Sequence, residues 1–391
     1  MKILLVIPYF YPSQAFGGPV KVAFDVGKEL VKSGHEVVVF TSDARDLENR
    51  LDIETDEIEG MRVYYFRNLS MFFVKWSKLF ITPDLSQKMN SDLKSFDLVH
   101  VHEYTTYQNI IVHEFAKKYN IPYILQAHGS LPKIGRTTRK WLFEVFFGRR
   151  LLRDASKVIA LTDVEAQQYR DMKVPDEKII VIPNGIDLSE YAVLPPTRSF
   201  KRKFGIKDEE KIVLYLGRLH KIKGVDVLVK AFTHIIKNLD DVRLVVVGPD
   251  DGSLDELQTL VKDMGVGNKV LFTGPLYGLE KIEAYVDSEV YVLPSRYEIF
   301  GMTVLEAYAC GKPVIVSNVG GLKDLVINGE TGLLVEPGNK EQLAKNILHL
   351  LNDNERAKKM GLTGKKFVER NFTIEKTVDA LEDLYREIAA N

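Results

Sequence analysis

The chain has 391 residues, and at about 100 to 200 residues per domain this length predicts two domains, each with its own core. Hydrophobic residues make up 45% and charged residues 27%, which excludes wholesale disorder and a collagen-like repeat. The net charge is -1, so there is no general basic field, and we predict no nucleic-acid partner. The single cysteine, Cys310, excludes an internal disulfide and a Cys-rich zinc site, and we expect it to be buried.

The cellular location is predicted from whether any apolar segment could be a signal peptide or a transmembrane helix. The N-terminal apolar run, residues 3–7, ends at Pro8 and is too short for the hydrophobic region of a signal peptide, so we interpret it as a strand. Nowhere do about 18 apolar residues follow one another, so the sequence predicts no transmembrane helix. We therefore expect a cytoplasmic protein, with peripheral binding at the inner membrane face left open.

Short runs rich in Val and Ile alternate with segments of helical period, the pattern of βαβ units around a buried parallel sheet. In the first half, strands are predicted at residues 3–7, 36–40, 62–66, 98–102, 123–126, 157–161 and 178–182. In the second half they are predicted at residues 212–216, 243–247, 269–272, 290–293, 313–316 and 332–335, with helices to the C-terminus. The predicted fold class is α/β.

A turn signal, Pro-Asn-Gly at residues 183–185, separates the two series of strands. We therefore predict a first domain over residues 1–183 and a second over residues 184–391, with the last helix a candidate for packing back on the first. Two doubly wound sheets joined in this way predict a ligand cleft between the carboxyl ends of their strands.

The segment at residues 296–306, RYEIFGMTVLE, follows a predicted strand and opens a helix. Glu298 and Glu306 are separated by about 800° of helical rotation, roughly 80° from alignment, so a loop Glu298 and a helical Glu306 are expected. Gly301 would let a ligand approach the backbone, and the helix start would offer amides and a positive dipole end to anionic or hydroxyl oxygens. The alternative is a pair of solvated acids at a helix start.

A second candidate site is GRLHKIKG at residues 217–224, between a predicted strand and a predicted helix. Arg218 offers a planar fork and Lys223 a point charge, the two ways in which proteins bind a diphosphate. The alternative is a solvated basic loop. Neither the G-x-G-x-x-G nor the P-loop spacing occurs in the chain, which argues against a dinucleotide enzyme and a P-loop NTPase.

Residues 298–306 resemble the E-x7-E motif of the retaining family 4 glycosyltransferases, and GRLHKIKG resembles the G-R-L-x-x-x-K-G segment of that family. Gly17-Gly18, His128-Gly129, PNGID at residues 183–187 and GKPVIVSNVGGLKDLVINGETGLLV at residues 311–335 are also similar. The resemblance implies the GT-B fold, with two facing Rossmann-like parallel-sheet domains and an interdomain cleft. The acceptor would bind mainly to the first domain and the sugar nucleotide mainly to the second.

The resemblance also implies roles for individual residues. Arg218 and Lys223 would bind the donor diphosphate, and Glu306 the ribose hydroxyls. Glu298 would face the donor sugar, and His128 would contact it beside the reacting carbon. Gly17 and Gly18 would close over the phosphates, and the backbone of residues 270–273, including Phe272, would contact the base. The remaining implied contacts, to sugar or phosphate oxygens, are made by Phe300, Gly301, Met302 and Thr303.

The activity implied is retaining transfer of a hexose, such as mannose or glucose, from a UDP- or GDP-sugar to a hydroxyl of a glycan or lipid-linked acceptor, in polysaccharide or glycolipid biosynthesis. Two cations and a helix start can stabilise a leaving diphosphate without a metal, and no D-x-D occurs, so we predict no metal and no cofactor. A nucleotide-sugar epimerase or phosphorylase-like enzyme is the alternative within the fold, and a non-catalytic sugar-binding module the alternative outside it.

Two weaker patterns remain. His100 and His102 alternate along a predicted strand and share a face; they are either half of a metal site or polar residues at a strand end, and we favour the second because no spacing completes a zinc site. Residues 133–153 hold one acid, Glu144, and four aromatic residues, which either pack on the sheet or form a membrane or acceptor surface. The seven cations of this stretch are Lys133, Arg136, Arg139, Lys140, Arg149, Arg150 and Arg153.

Overall fold

The computed structural model describes residues 1–131 and 138–390, and it divides into two compact units. The first unit comprises Met1–Gly185 together with Ile374–Asn391, and the second comprises Ile186–Thr373. The boundary lies two residues beyond the one predicted. Residues 374–391, predicted as the end of the second domain and as a candidate for packing back on the first, belong to the first unit.

The first unit contains one eight-stranded sheet in the order β3-β4-β2-β1-β5-β6-β7-β8. Its strands are β1 (Lys2–Val6), β2 (Glu36–Ser42), β3 (Thr55–Ile58), β4 (Met61–Phe66), β5 (Leu98–His102), β6 (Tyr123–Gln126), β7 (Lys157–Ala160) and β8 (Ile179–Val181). All neighbours are parallel except β3 and β4. The order of strands reverses at β1, which pairs with both β2 and β5, and ligands of such sheets bind at the carboxyl ends near this point.

The helices of the first unit cover the faces of this sheet. They are α1 (Gly18–Lys32), α2 (Met71–Ser77), α3 (Asp84–Asp92), α4 (Tyr107–Tyr119), α5 (Thr138–Phe143), α6 (Arg149–Asp154) and α7 (Asp163–Asp171). A π-helical segment, Glu144–Gly148, joins α5 to α6. Gly148 is required there, because a Cβ at this position would meet the Tyr104 hydroxyl at 2.1 Å.

The second unit is built around a six-stranded parallel sheet in the order β11-β10-β9-β12-β13-β14. Its strands are β9 (Lys211–Leu216), β10 (Val242–Val247), β11 (Val270–Gly274), β12 (Val290–Leu293), β13 (Val314–Ser317) and β14 (Gly332–Val335). Its helices are α8 (Ser199–Lys203), α9 (Val225–Ile235), α10 (Leu254–Asp263), α11 (Gly278–Asp287), α12 (Met302–Ala309), α13 (Leu322–Leu325), α14 (Lys340–Asn352) and α15 (Asn354–Asn371). The order reverses at β9, which lies between β10 and β12.

The last helix, α16 (Ile374–Ala389), returns to the first unit and packs against α1. Its buried apolar residues include Val378, Leu381 and Tyr385, spaced three and four apart so that they share one helix face. Tyr385 places its hydroxyl 2.7 Å from His100 Nδ1 of β5. These contacts are the physical reason why residues 374–391 are assigned to the first unit.

The predicted strands are all present, and their ends lie within two residues of the predicted ones. One strand, β3, was not predicted. It is a polar edge strand that pairs antiparallel with β4 through a tight turn in which Glu59 and Gly60 both have positive φ, at 51° and 78°. Cys310 is buried as predicted, and within residues 1–131 and 138–390 no helix is long and apolar enough to cross a membrane.

Candidate active site

The cationic loop of the second unit, residues 217–224, connects β9 to α9. It contains a short 3-10 turn, Lys221–Lys223, in which the backbone amide of Ile222 donates to His220 Nδ1 at 3.1 Å. Gly224 ends this turn with φ 70°, and a Cβ there would lie 2.0 Å from the carbonyl oxygen of Pro294. Only glycine therefore allows the cationic loop to approach the loop after β12 this closely.

Arg296 fastens these two loops to each other. Its guanidinium donates to both carboxylate oxygens of Asp226 at 2.8 Å and to the carbonyl oxygen of Lys221 at 2.6 Å. Its backbone amide donates to the carbonyl oxygen of Ile222 at 2.7 Å. The bidentate Arg296–Asp226 pair was not predicted from the sequence, although it sets the relative position of the two predicted motifs.

The two motifs meet directly at Lys223 and Glu298. Lys223 Nζ donates to Glu298 Oε2 at 2.5 Å, and the side chain of each residue is 16% exposed. The predicted loop position of Glu298 is confirmed, because α12 begins only at Met302. The predicted catalytic residues are His128, Arg218, Lys223 and Glu298. The structure brings two of them, Lys223 and Glu298, together in one partly exposed ion pair.

The backbone of Glu298 is held by the glycine pair at residues 320–321. Gly320 has φ 52°, and a Cβ at this position would lie 1.7 Å from the carbonyl oxygen of Glu298, which also accepts the amide of Gly321 at 3.1 Å. Any larger residue at position 320 would displace the loop that carries Glu298. This is the structural reason for the Gly-Gly within residues 311–335.

Glu306 lies in α12 as predicted and is 6% exposed. Lys281 Nζ donates to its Oε1 at 2.7 Å, and the Tyr285 hydroxyl donates to its Oε2 at 3.0 Å. Burial, followed by the nearby Glu306 charge, raises the pKa of Tyr285 well above its ordinary value, so the hydroxyl stays protonated as a donor. Lys281 and Tyr285 orient the carboxylate, and neither was predicted from the sequence.

The start of α12 holds the other predicted donor contacts of this segment. Gly301, with φ 90°, precedes the helix, and Met302 is its first residue. The amide of Val304 donates to the Gly301 carbonyl oxygen at 2.9 Å, whereas the amides of Met302 and Thr303 have no acceptor within the helix. The side chain of Thr303 is oriented by Tyr291, whose hydroxyl donates to Thr303 Oγ1 at 2.6 Å. Phe300 is buried, whereas Phe272 lies in β11 and is partly exposed.

Arg218 has a different partner from Lys223. Its guanidinium donates to Asp251 Oδ2 at 2.5 Å, and its side chain is 42% exposed. The structure therefore does not join Arg218 to the Lys223–Glu298 pair. Asp251 was not singled out in the sequence, because an aspartate in a loop carries no signal of which cation it contacts.

The remaining predicted site residues belong to the first unit. Gly17 has φ 92° and precedes α1, and Gly18 is the first residue of that helix. A Cβ at Gly18 would meet no atom within 4 Å. Nearby, Phe16 stacks on Tyr9 with ring centroids 4.6 Å apart, which anchors the segment before the glycine pair.

His128 follows β6 in a left-handed conformation, with φ 51°, that is uncommon for a residue other than glycine. Its Nε2 lies 2.8 Å from His102 Nδ1. The next residue, Gly129, donates its amide to Glu165 at 2.6 Å, and Glu165 also accepts the amide of Leu161 at 2.8 Å. Burial raises the pKa of the Glu165 carboxyl to about 7. Neither Glu165 nor the role of His102 was predicted.

Part of the basic stretch, including Lys133 and Arg136, lies outside the described residues, and so does the side chain of Arg139. In the described part, Phe143 packs on Tyr104 with ring centroids 5.7 Å apart. The other aromatic residues do not pack on the sheet as the first alternative expects, because the side chain of Trp141 is 50% exposed and that of Phe146 is 58% exposed. Phe147 is exposed as well. The same helical stretch is held in the unit by its buried residues, which are Glu144, Gly148, Leu151 and Leu152.

Known protein families match both units. The family described as Glycosyl transferase 4-like domain matches residues 17–185, and the family described as Glycosyl transferases group 1 matches residues 196–367. A glycosyltransferase of Methanocaldococcus jannaschii, itself uncharacterised, is 30% identical over 363 residues, which cover 90% of each chain. The chain belongs to the group 1 glycosyltransferases. The predicted family is therefore confirmed.

Solved structures similar to this glycosyltransferase show its fold. Sucrose-phosphate synthase from Thermosynechococcus elongatus is 26% identical, with a TM-score of 0.84 over 100% of this chain and 99% of the synthase. Anabaena HepE in complex with UDP and glucose is 21% identical, with a TM-score of 0.81 over 99% of this chain and 100% of HepE. Together with the two parallel-sheet units, these neighbours confirm the predicted GT-B fold.

A metal site in this glycosyltransferase would need a cluster of several ligating side chains. Within the described ranges, no three His, Cys, Asp or Glu side chains are clustered so that they could hold a metal ion. His100 and His102 instead make hydrogen bonds to Tyr385 and His128. Whether catalysis requires an added divalent ion stays a prediction.

Proposed function

We propose that this glycosyltransferase moves a sugar from a UDP-sugar to a hydroxyl acceptor, with retention of anomeric configuration and without a metal ion. The observation that carries the proposal is the contact between Lys223 and Glu298, which joins a cationic loop to the acidic loop before α12. A sugar nucleotide needs a cation at its diphosphate and an acceptor of hydrogen bonds at its sugar hydroxyls. The paired side chains supply these two groups at one place.

The chemical demand of the reaction is the charge that develops on the leaving diphosphate. Lys223 and Arg218 are cations, and the first-turn amides of α12 carry positive partial charge, so all three can stabilise this oxygen. Each cation has an acidic partner in the free protein, Glu298 or Asp251. Before the substrate arrives, these acidic partners lower the free-energy cost of keeping two cations at the site. Donor binding would then replace each acidic side chain with the diphosphate as the partner of the cation.

Glu306 is proposed to receive the ribose hydroxyls. Its two oxygens each accept one hydrogen bond from the protein, and a carboxylate has further lone pairs for two hydroxyl donors. Lys281 and Tyr285 hold the carboxylate in its orientation through these two hydrogen bonds. His128 is proposed to contact the donor sugar, and Gly17 and Gly18 the phosphates, as the family resemblance implies.

Retention is proposed to follow from front-face attack of the acceptor hydroxyl within an ion pair formed by the sugar cation and the departing diphosphate. Glu298 is the carboxylate assigned to the donor sugar, where it accepts hydrogen bonds from the sugar hydroxyls and does not attack the anomeric carbon. No covalent intermediate of the kind formed by retaining hydrolases is therefore proposed. NMR of the product anomer tests retention, and a trapped glycosyl-enzyme in the mass spectrum would contradict front-face attack.

The nucleotide is proposed to be UDP, because HepE has the same fold and was crystallised with UDP and glucose. Thermal shift with UDP, GDP and ADP at equal concentrations tests this, since a ligand at 100 times its Kd stabilises by about 2.7 kcal/mol. A shift with GDP alone would favour a GDP-sugar donor. Family membership favours transfer over the epimerase and phosphorylase-like alternatives, and transfer from donor to an added acceptor separates these three.

The acceptor is proposed to be a glycan or lipid-linked hydroxyl at an anionic membrane surface, with the enzyme peripheral at the cytoplasmic face. Support comes from the described part of the basic stretch, where Trp141 and Phe146 are exposed together with Arg149 and Arg150. At about 1 kcal/mol per basic residue near an anionic leaflet, these two arginines contribute roughly 2 kcal/mol, which suits reversible attachment.

Cosedimentation with vesicles tests the membrane proposal. Wild-type protein should bind vesicles containing phosphatidylserine at low salt, and a double charge reversal at Arg149 and Arg150 should abolish binding. The matched control is Lys358→Glu with Lys359→Glu, which makes the same change of charge at two adjacent exposed cations of α15 in the second unit. Equal binding by both folded double variants, or no binding by wild type, would contradict the proposal.

A further inference from the structure

Two histidines of β5 lie behind His128 and take no part in the function proposed above. His100 and His102 have no exposed surface, and their rings stack with centroids 4.3 Å apart. His102 Nδ1 lies 2.8 Å from His128 Nε2, with the two ring planes within 11° of parallel. The Nε2 atom of His102 is buried, and no described residue offers it a hydrogen-bond partner.

These contacts decide which nitrogen of each ring carries the proton. If His128 Nε2–H donated to His102 Nδ1, then His102 would carry its proton on Nε2, as a buried N–H without an acceptor. If His102 Nδ1–H donates to His128 Nε2, the atom left without a partner is an acceptor instead. Orphaned buried N–H groups are rarer and costlier than unused acceptors, so the second arrangement is the stable one.

Both rings are neutral in this arrangement. Burial lowers the pKa of His128 to about 3 and holds the pKa of His102 well below its ordinary value. A neutral His128 that accepts at Nε2 must carry its single proton on Nδ1. No described residue is in hydrogen-bond contact with that Nδ1, and His128 is partly exposed, so the N–H remains available to a ligand.

We propose that His102 is a positioning residue that fixes His128 in the tautomer protonated at Nδ1, and thereby presents a neutral N–H donor to an oxygen of the bound sugar nucleotide. The identity of that ligand rests on the proposed function. The backbone of His128 is fixed separately, because Glu165 binds the adjacent Gly129 amide. His102 therefore controls the proton and rotation of the ring, and Glu165 controls the turn that carries it.

Nitrogen NMR of protein labelled with 15N-histidine tests the tautomer without any substrate. The spectrum of His128→Asn assigns the His128 signals by their absence. In the wild-type protein we expect His128 to show a protonated Nδ1 and an unprotonated Nε2. His102→Phe keeps an aromatic ring but removes the donor, so His128 should shift toward the tautomer protonated at Nε2.

The control is Tyr385→Phe, which breaks the hydrogen bond to His100 and leaves the His102–His128 contact in place. It should leave the His128 tautomer unchanged. A wild-type His128 protonated at Nε2, or a tautomer that His102→Phe does not alter, would overturn the proposal. So would a change in Tyr385→Phe as large as that in His102→Phe. The wild-type spectrum decides even where His102→Phe does not fold.

Kinetics then connect the tautomer to turnover. His102→Phe should lower kcat/KM roughly tenfold, the value of one hydrogen bond. His102→Asn, whose amide can donate from nearly the position of Nδ1, should recover much of this loss together with the wild-type tautomer. Equal activity of the Phe and Asn variants would overturn the catalytic consequence. If wild type shows the expected tautomer but transfers no sugar, the proposed function fails and the positioning by His102 stands.

Discussion

Replacement of Lys223 by alanine is the sharpest test of the donor site. The wild-type side chain is 16% exposed and paired with Glu298 at 2.5 Å, so the change removes the proposed diphosphate ligand and leaves a partly buried carboxylate without its cation. Both effects act against an incoming diphosphate. The first removes attraction, and the second adds a negative charge that Lys223 no longer neutralises.

The magnitude follows from the value of a charge-assisted hydrogen bond, about 1.5 to 3 kcal/mol, which corresponds to a roughly tenfold to 150-fold loss of kcat/KM. Repulsion by Glu298 should place the result toward the upper end of this range. The double variant in which Glu298 is also replaced by glutamine should recover affinity for UDP, because it relieves the repulsion, without recovering turnover.

Lys221 provides a matched control in the same loop. Its side chain is 70% exposed and pairs with Glu256 at the surface, an interaction worth about 0 to 1 kcal/mol. Initial rates with a UDP-sugar and UDP binding by calorimetry should therefore be nearly unchanged in Lys221→Ala. Wild-type kcat/KM in a folded Lys223→Ala protein, or equal losses in the two variants, would refute the assignment of Lys223 to the diphosphate.

Three further predictions concern the metal, a buried acid and a glycine. Activity should survive excess EDTA; complete loss that Mg²⁺ or Mn²⁺ restores would contradict this. Because burial raises the pKa of Glu165 to about 7, the folded state binds more protons than the unfolded state from about pH 4.5 to 7, so stability falls as pH rises through that window. Glu165→Gln should flatten the change in urea midpoint from pH 5 to 7, and an unchanged slope would count against the raised pKa. Gly320→Ala should weaken UDP binding and should lower stability by more than Gly338→Ala does. In the Gly338→Ala control the positive φ costs about 1 to 2 kcal/mol, but the added Cβ meets nothing within 4 Å. Equal effects of the two substitutions would show that the contact with Glu298 is unimportant.

The sequence predicts the parallel strands well because each is a short, nearly continuous apolar run. In β1, for example, four of five residues are buried, and the run has no competing helical period. The edge strand β3 escapes prediction because TDEI is mostly polar and exposed, and only its turn and its pairing with β4 make it a strand. The sequence offers packing of the last helix on the first domain only as a candidate, since an amphipathic helix shows that a face is buried but not what covers it.

At the site, helical geometry predicts the different environments of Glu298 and Glu306, and strand alternation predicts that His100 and His102 share a face. The partners of these residues are contacts between distant parts of the chain, such as Lys281 with Glu306 and His102 with His128, and no local period encodes them. Exposure of Trp141 is also beyond the sequence, because a core helix and a surface helix can have the same spacing of aromatic residues.

The return of α16 to the first unit has a consequence for synthesis on the ribosome. At about 5 to 20 residues per second, roughly 10 to 40 s pass between the appearance of Gly185 and that of Ile374. The second unit is continuous and can fold as it emerges, whereas the first must wait for its last helix with the surface of α1 uncovered and His100 without Tyr385. A nascent chain halted after residue 185 should therefore be protease-sensitive, and a stable isolated first unit requires residues 374–391 to be spliced back onto it.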